Sequence, residues 1–170
     1  MSMAATVAAA SMFGVSAPAA AEETTAACAA PEFRAADFWV GDWLVEDRDT
    51  GRAVGRNRIE RLWGGCALLE RFSDDQGFSG GSLLQWDARR GVWRLTGGGS
   101  TGAVMVFEGK AEGAALSLTH ATPSGQLIRM TLEPQGADVV IHASAASTDG
   151  GLTWRPRYAY VYRRAAPGAA

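Results

Sequence analysis

Apolar and polar residues alternate with a period of two from Phe38 almost to the end of the chain. In the first such run, Trp43 and Val45 alternate with Leu44 and Glu46. This period is typical of a half-buried β-strand, because successive side chains of a strand point to opposite faces. Nine further runs follow. The ten predicted strands cover residues 43–47, 57–63, 67–73, 82–86, 92–96, 103–108, 114–120, 127–133, 139–144 and 154–163.

Short segments with turn residues separate these runs. Each segment contains glycine, and three of them also contain Asp or Pro. They lie at 74–77, 90–91, 112–113, 123–125, 135–136 and 149–151. Residues 97–100 are also rich in glycine, and we expect them to form a flexible loop between two strands. Short strands at regular spacing, with no helical stretch between them, predict an all-β, antiparallel, up-and-down meander. Such a sheet avoids exposed edges best by closing into a barrel.

A G-x-W motif opens the first predicted strand. Its residues are Gly41 and Trp43, and two arginines, Arg163 and Arg164, end the last strand. In lipocalin-like barrels this Trp plugs the closed end, and an arginine from the last strand stacks over it through a cation–π contact. We predict that Arg163 is this arginine. The alternative is that Trp43 is an ordinary core residue.

A second motif lies before the last strand. Ser147 to Trp154 matches the Asp-box pattern S-x-D-x-G-x-T-W completely. In this pattern the side chains of Ser147 and Asp149 bind backbone amides of a tight hairpin, with Gly151 in the turn and Trp154 packed beneath. The motif is a folding device found in sialidases and in many unrelated β-proteins. A single copy therefore predicts a structural role, and it does not indicate glycosidase activity.

The N-terminus has the pattern of a secretory signal peptide at residues 1–21. Residues 3–16 are apolar or small, and Ala19 to Ala21 form an A-x-A type cleavage site before two glutamates. No Lys or Arg precedes the apolar run, so a disordered Ala-rich tail is the alternative. We expect an exported protein, periplasmic or extracellular, with a leader at 22–36 tethered by a cysteine. The barrel domain follows at 37–164, and a disordered tail at 165–170.

Composition narrows the class of protein. The chain has 170 residues, 47% of them hydrophobic, which is enough for one domain with one core. A net charge of -2 argues against a nucleic-acid-binding protein, which needs a basic face. No segment after the N-terminus approaches the roughly 20 apolar residues that a membrane-spanning helix requires.

The chain has two cysteines, Cys28 and Cys66. In an oxidising compartment such a lone pair is read as one disulfide, and in a cytosol as two unrelated thiols. A lipoprotein cysteine at position 28 is a weaker alternative, because the preceding residues lack the expected Leu. Two cysteines and two distant histidines have no zinc-ligand spacing, so no metal site is predicted.

From Cys28 to Arg164 the chain resembles an uncharacterised family of secreted bacterial lipocalin-like (calycin-type) barrel domains. The matching landmarks are Cys28, residues 37–43, 59–60, 64–66 and 69–70, Trp93, residues 147–154 and residues 162–164. The resemblance implies a barrel with an internal cavity, export and a Cys28–Cys66 disulfide, and it supplies no activity. The chain departs from the family at Leu95, Gly97, Ile141, His142 and Ser144, which implies a less polar and less aromatic pocket.

Two glutamates are candidates for chemistry in the cavity. If the second and third strands form a hairpin, one of its possible registers brings Glu60 and Glu70 to the same side. Like charges held close in an apolar cavity would raise one pKa and give an acid–base pair. The alternative is that one glutamate is exposed, or that each pairs with an arginine. The candidate arginines are Arg58, Arg71, Arg94 and Arg129.

Two histidines, His120 and His142, share strand faces with apolar residues. A histidine in such a setting is more often a hydrogen-bonded core or rim residue than a ligand. Haem binding by a single axial histidine occurs in a related barrel family, the nitrobindins, so either residue is a candidate for that role. No other cofactor is predicted.

The sequence thus favours an exported barrel that binds a small apolar or amphipathic molecule. The candidate ligand-binding residues are Glu60, Glu70, Arg94, His120, Arg129 and His142. One alternative is a structural or envelope interaction domain with a filled barrel. Another is an enzyme that uses Glu60 and Glu70 in the cavity. The volume of the cavity separates the filled barrel from the other two hypotheses.

Overall fold

The structure is a computed structural model that describes residues 28–166. The predicted signal peptide at 1–21, the first part of the leader at 22–27 and the last four residues of the predicted tail lie outside the described residues. No helix among the described residues is long and apolar enough to cross a membrane.

Ten antiparallel strands form a closed barrel with up-and-down order, which confirms the predicted fold class. Their bounds are β1 Gly41–Asp47, β2 Ala53–Leu62, β3 Ala67–Asp74, β4 Ser79–Asp87, β5 Val92–Gly99, β6 Val104–Glu112, β7 Ala115–Ala121, β8 Leu127–Pro134, β9 Val139–Ser147 and β10 Arg155–Arg164. Each strand pairs with its neighbours in sequence, and β10 pairs with β1, from Trp43 opposite Arg164 to Asp47 opposite Tyr160. Closure leaves no edge strand unpaired.

Three 3₁₀ turns, Pro31–Arg34, Asp37–Trp39 and Trp63–Gly65, accompany the strands. The third turn joins β2 to β3 and contains Trp63, which was expected at the end of the second strand. Trp63 instead has a φ of 50° and a side chain that is 63% exposed. The alternation of residue types continues through Trp63, but the strand ends at Leu62 and the backbone turns at Trp63.

The barrel is closed at the end where β1 begins. Trp43 is 1% exposed, and its indole nitrogen donates to the backbone oxygen of Trp39 at 2.8 Å. The guanidinium of Arg164 lies 4.3 Å from the centre of the Trp43 ring. Gly41 has a φ of 140°, and a Cβ there would collide with the Arg164 guanidinium. The glycine of the motif therefore makes room for the arginine.

The prediction that Arg163 stacks on Trp43 was wrong. Arg163 points to the outer face of the barrel, where its Nε lies 2.9 Å from a carboxylate oxygen of Glu46. Alternation along β10 places Arg164 on the same face as the buried Tyr162, and therefore over Trp43.

A disulfide links Cys28 to Cys66, as predicted. Arg34 reinforces this link, because its guanidinium donates to the backbone oxygens of Cys28, at 3.2 Å, and of Gly65. The same guanidinium lies 3.6 Å from the Asp37 carboxylate. The leader is thus fixed to the connection between β2 and β3 by one covalent bond and several polar contacts.

The hairpin between β9 and β10 has the geometry of an Asp-box. The Ser147 hydroxyl donates to the Asp149 carboxylate at 2.7 Å and accepts from the backbone nitrogen of Gly151 at 2.8 Å. Asp149 in turn accepts from the backbone nitrogen of Thr153 at 3.0 Å. The indole of Trp154 donates to the Gly151 oxygen at 3.0 Å. These contacts stay within the hairpin, in agreement with a structural role.

Candidate functional site

A cavity of about 340 Å³ lies inside the barrel. Trp39, beside the closed end, contributes to its lining. Phe78 and Thr101 contribute from the β3–β4 and β5–β6 connections, which lie at the opposite end of the barrel. That opposite end is the mouth. The volume falls within the range of about 300–1,000 Å³ found for small-molecule sites.

Glycines on β4 and β5 create much of this space. At the mouth, Gly80 pairs with Gly99, and Ser82 pairs with Gly97, so three of these four inward positions have no side chain. The ring of Phe78 covers part of the gap and would touch a Cβ at Gly99. The expectation that residues 97–100 form a loop was wrong, because Gly97 to Gly99 belong to β5.

Aromatic rings form a large part of the remaining wall, beside aliphatic side chains such as Leu95, Ile128 and Met130. Tyr158, Tyr160 and Tyr162 occupy alternate positions of β10 and all line the cavity. Tyr158 and Tyr160 are stacked, with ring centres 4.8 Å apart. Three phenylalanines complete the aromatic lining: Phe72, Phe78 and Phe107. The tyrosines were not identified from the sequence, although their strict alternation in the last strand is a signal for a shared inward face.

A chain of hydrogen bonds crosses the inner wall. The Glu70 carboxylate accepts from the Ser82 hydroxyl at 2.6 Å and from the Asn57 amide nitrogen at 2.7 Å. The same Asn57 nitrogen donates to the Tyr162 hydroxyl at 3.3 Å, and that hydroxyl lies 3.0 Å from Nδ1 of His142. Of these five residues, only Glu70 and His142 were candidate ligand-binding residues from the sequence. Small polar residues such as Asn57 and Ser82 carry no motif that marks them as inward-facing.

Glu70 is enclosed by the barrel, yet it retains some accessible surface, and that surface faces the cavity. Burial raises the pKa of Glu70, and the hydrogen bonds from Ser82 and Asn57 offset this effect only in part. No arginine or lysine among the described residues forms an ion pair with this carboxylate. Glu70 is therefore a buried acid that only neutral groups stabilise.

His142 is neutral at physiological pH, because burial lowers its pKa to about 4. Asn57 donates to the Tyr162 hydroxyl, and the oxygen of that hydroxyl also lies within hydrogen-bond distance of Nδ1 of His142. The Nε2 atom is buried without a hydrogen-bond partner, and the ring packs edge-on against all three tyrosines.

The geometry does not favour haem ligation by either histidine. An axial ligand must present a free ring nitrogen to the iron, whereas Nε2 of His142 is buried and Nδ1 lies 3.0 Å from the Tyr162 hydroxyl. Nδ1 of His120 lies 2.9 Å from the backbone oxygen of Val106, and this residue does not line the cavity. No group of three or more potential metal-binding side chains occurs among residues 28–166.

The alternative in which Glu60 and Glu70 share the cavity is wrong. Leu62 pairs with Ala67 across the connection between β2 and β3, so Glu60 lies opposite Leu69 while Glu70 lies opposite Ile59. The two carboxylates therefore point to opposite faces of the wall.

Glu60 lies on the outside of the barrel, and the structure bears out the alternative in which it pairs with arginines. Its carboxylate contacts Arg71 and lies 3.1 Å from Arg58. The hydrogen bond from Arg71 is the main cause of its lowered pKa.

The two candidate arginines also lie on the outer wall. Arg94 is 3.5 Å from Glu108, and the Arg129 guanidinium lies 4.2 Å from the ring centre of Trp154. Arg129 borders a second pocket, together with Thr131, Ala143 and Ala145. Of the six candidate ligand-binding residues, the structure brings only Glu70 and His142 to the cavity.

No known family model matches this chain, and no curated protein matches it either. Any function must therefore be inferred from the cavity itself: its volume, its aromatic walls and the single carboxylate that faces it.

Proposed function

We propose that this protein is an exported barrel that binds one small apolar or amphipathic molecule in its internal cavity. The observation that carries the proposal is a cavity of about 340 Å³ lined by aromatic rings, with Glu70 facing it. Small-molecule sites are usually such concave, mostly apolar spaces with a few convergent polar groups.

The alternative of a filled, purely structural barrel receives less support. A structural barrel gains stability when large side chains fill its interior, because unfilled volume forfeits dispersion contacts. This barrel instead leaves about 340 Å³ open, with the Phe78 ring packed over Gly80 and Gly99 at the mouth. The cost of that open volume is understandable if a ligand occupies it.

The enzyme hypothesis is less well supported, because it requires a second carboxylate in the cavity beside Glu70. A general acid and a general base in one cavity require two groups near the same bond, and Glu60 lies on the outer wall. Glu70 alone, with His142 buried behind Tyr162, is better suited to binding.

Export and a calycin-like relationship are part of the same proposal. The closed ten-strand barrel fits a calycin-like domain. The disulfide between Cys28 and Cys66 supports an oxidising compartment, where such bonds form and persist.

The binding proposal is tested with N-phenyl-1-naphthylamine, a neutral apolar dye whose fluorescence rises in apolar surroundings. We expect one dye per barrel. Met105 lines the cavity at the mouth and is 43% exposed, so Met105→Trp narrows the entrance without disturbing the core. Val104 is 72% exposed and does not line the cavity, so Val104→Trp is the matched control.

The expected result is that Met105→Trp weakens dye binding by about tenfold or more, while Val104→Trp leaves it unchanged. Native mass spectrometry of protein purified from its own compartment provides the second readout, and we expect a retained small molecule. A wild-type barrel that neither takes up the dye nor carries a molecule would overturn the proposal.

Export is tested separately on the natural protein. We expect a mature N-terminus after Ala21 and no thiol that can be alkylated before reduction. Two reactive thiols, at Cys28 and Cys66, in unreduced protein from the natural source would contradict an oxidising compartment.

A further inference from the structure

We propose that the ligand is a small organic cation, with its ammonium group on the Glu70 carboxylate and its hydrocarbon body among the aromatic rings of the cavity. This inference rests on the proposed function and adds the chemical class of the ligand.

Two hydrogen-bond donors contact Glu70 and favour its ionised form, against the burial that favours the neutral form. The amide nitrogen of Asn57 can only donate, so the Glu70 oxygen at 2.7 Å accepts from it. The other oxygen lies 2.6 Å from the Ser82 hydroxyl, which is free to donate. Asn57 and Ser82 thus supply part of the stabilisation that a negative charge at Glu70 requires.

No cationic side chain among the described residues forms an ion pair with Glu70. Its nearest titratable neighbours through the hydrogen-bond chain are Tyr162 and the neutral His142. Taking a carboxylate out of water without a counter-charge is costly, and two neutral donors return only part of the cost. An ammonium group bound in the cavity would supply the missing charge.

The walls around the carboxylate suit a cation as well. Tyr158, Tyr160, Phe72 and Phe107 line the same cavity as Glu70. The faces of such rings carry negative electrostatic potential, which attracts an ammonium group and disfavours an anion. Two features, the carboxylate and the aromatic lining, therefore favour the same sign of ligand charge.

One positive side chain opposes this preference. Among the described residues that line the cavity, Arg157 is the only cationic one; it lies at the bulge of β10 near Tyr158 and is exposed. Solvent and salt screen an exposed charge far more than a buried one. The cation is therefore expected at the enclosed Glu70, away from Arg157, whereas an anionic ligand would be held at Arg157.

Isothermal titration calorimetry with three probes of the same body tests the inference. The probes are 4-phenylbutylamine, 4-phenylbutan-1-ol and 4-phenylbutanoate, which carry a cation, a neutral group and an anion. We expect the amine to bind about tenfold or more tightly than the other two. Glu70→Gln preserves size and polar contacts, and it should weaken amine binding by about tenfold while the alcohol changes less than about twofold.

Glu108→Gln, on the outer wall beside Arg90 and Arg94, is the control and should change neither affinity. If the alcohol or the carboxylate binds as tightly as the amine, or if Glu70→Gln leaves amine binding intact, the cation inference is overturned. The probe comparison on the wild type decides this even if Glu70→Gln fails to fold. A barrel that binds the naphthylamine dye but not the amine contradicts only this inference, whereas one that binds neither contradicts the proposed function too.

Discussion

Arg164 is stacked on Trp43, with 4.3 Å between its guanidinium carbon and the centre of the ring. Its nitrogens also donate to the backbone oxygens of Val40, at 3.1 Å, and Ala137, at 2.8 Å. One side chain of the last strand thereby joins the segment before β1 to the β8–β9 connection, over the ring that plugs the barrel.

The neighbouring arginine allows a matched test of this contact. Arg164→Ala should lower the free energy of unfolding by about 1–3 kcal/mol, since it removes a cation–π contact and several hydrogen bonds. Arg163→Ala removes only an exposed ion pair with Glu46, and it should cost about 0.5 kcal/mol or less. Urea unfolding measures both variants. Equal losses would show that stacking on Trp43 contributes nothing specific.

Trp43 itself should be among the most costly residues to truncate. It is 1% exposed and fills the closed end, so Trp43→Ala leaves a large cavity and should cost about 3–5 kcal/mol. Trp63, which is 63% exposed, is the control, and Trp63→Ala should change stability by about 0.5 kcal/mol or less. A loss below about 1 kcal/mol at Trp43 would mean that this ring does not plug the barrel.

The fold was predictable because two local signals agreed along the whole chain. A period of two marks strands, and turn residues between the runs give antiparallel neighbours. Closure of the sheet into a barrel was predicted because the sequence showed no helix that could cover the edges of the sheet. The strand end at Leu62 was missed, since Trp63 continues the apolar alternation while its backbone already turns.

The site was harder to predict, because its composition depends on register. The length of the Trp63–Cys66 connection decides whether Glu60 or Ile59 faces the same side as Glu70, and that length is not visible in the alternation of either strand. The choice between Arg163 and Arg164 was more accessible. Tyr162 lies two positions before Arg164, so an inward tyrosine face predicts the inward arginine.

Asp149 should contribute to stability only while it is ionised. Hydrogen bonds, chiefly from Thr153, hold the pKa of this exposed carboxyl far below its ordinary value. Because the folded-state pKa is depressed, the contribution is present above the unfolded pKa of about 3.9 and is lost as the pH falls below it.

Asp149→Asn is therefore expected to lower the urea midpoint near neutral pH, with a difference from wild type that shrinks toward pH 3. Asp75→Asn, in the exposed turn after β3, is the control and should have little effect at either pH. A difference that stays constant with pH would mean that the charge of Asp149 is irrelevant to the hairpin.

His142 should make the barrel sensitive to mild acid. Its pKa is about 4 in the folded protein because of burial, against about 6.5 in an unfolded chain. Between these values the unfolded chain takes up a proton and the folded protein does not, so stability falls as the pH drops from about 6.5 toward 4. The titratable groups facing this ring are Tyr158, Tyr160 and Tyr162, with Glu70 reached through Asn57.

The raised pKa of Glu70 acts in the opposite direction, since ionising this buried acid costs stability as the pH rises above about 4.3. A comparison with His142→Gln, which keeps Glu70, separates the two effects. Relative to this variant, the wild type should lose on the order of 2 kcal/mol between pH 6.5 and 4.5. Nitrogen-15 NMR should show His142 neutral down to about pH 5. Titration of this ring near pH 6.5 would mean that water reaches it, and that the chain of hydrogen bonds from Ser82 to His142 is not enclosed.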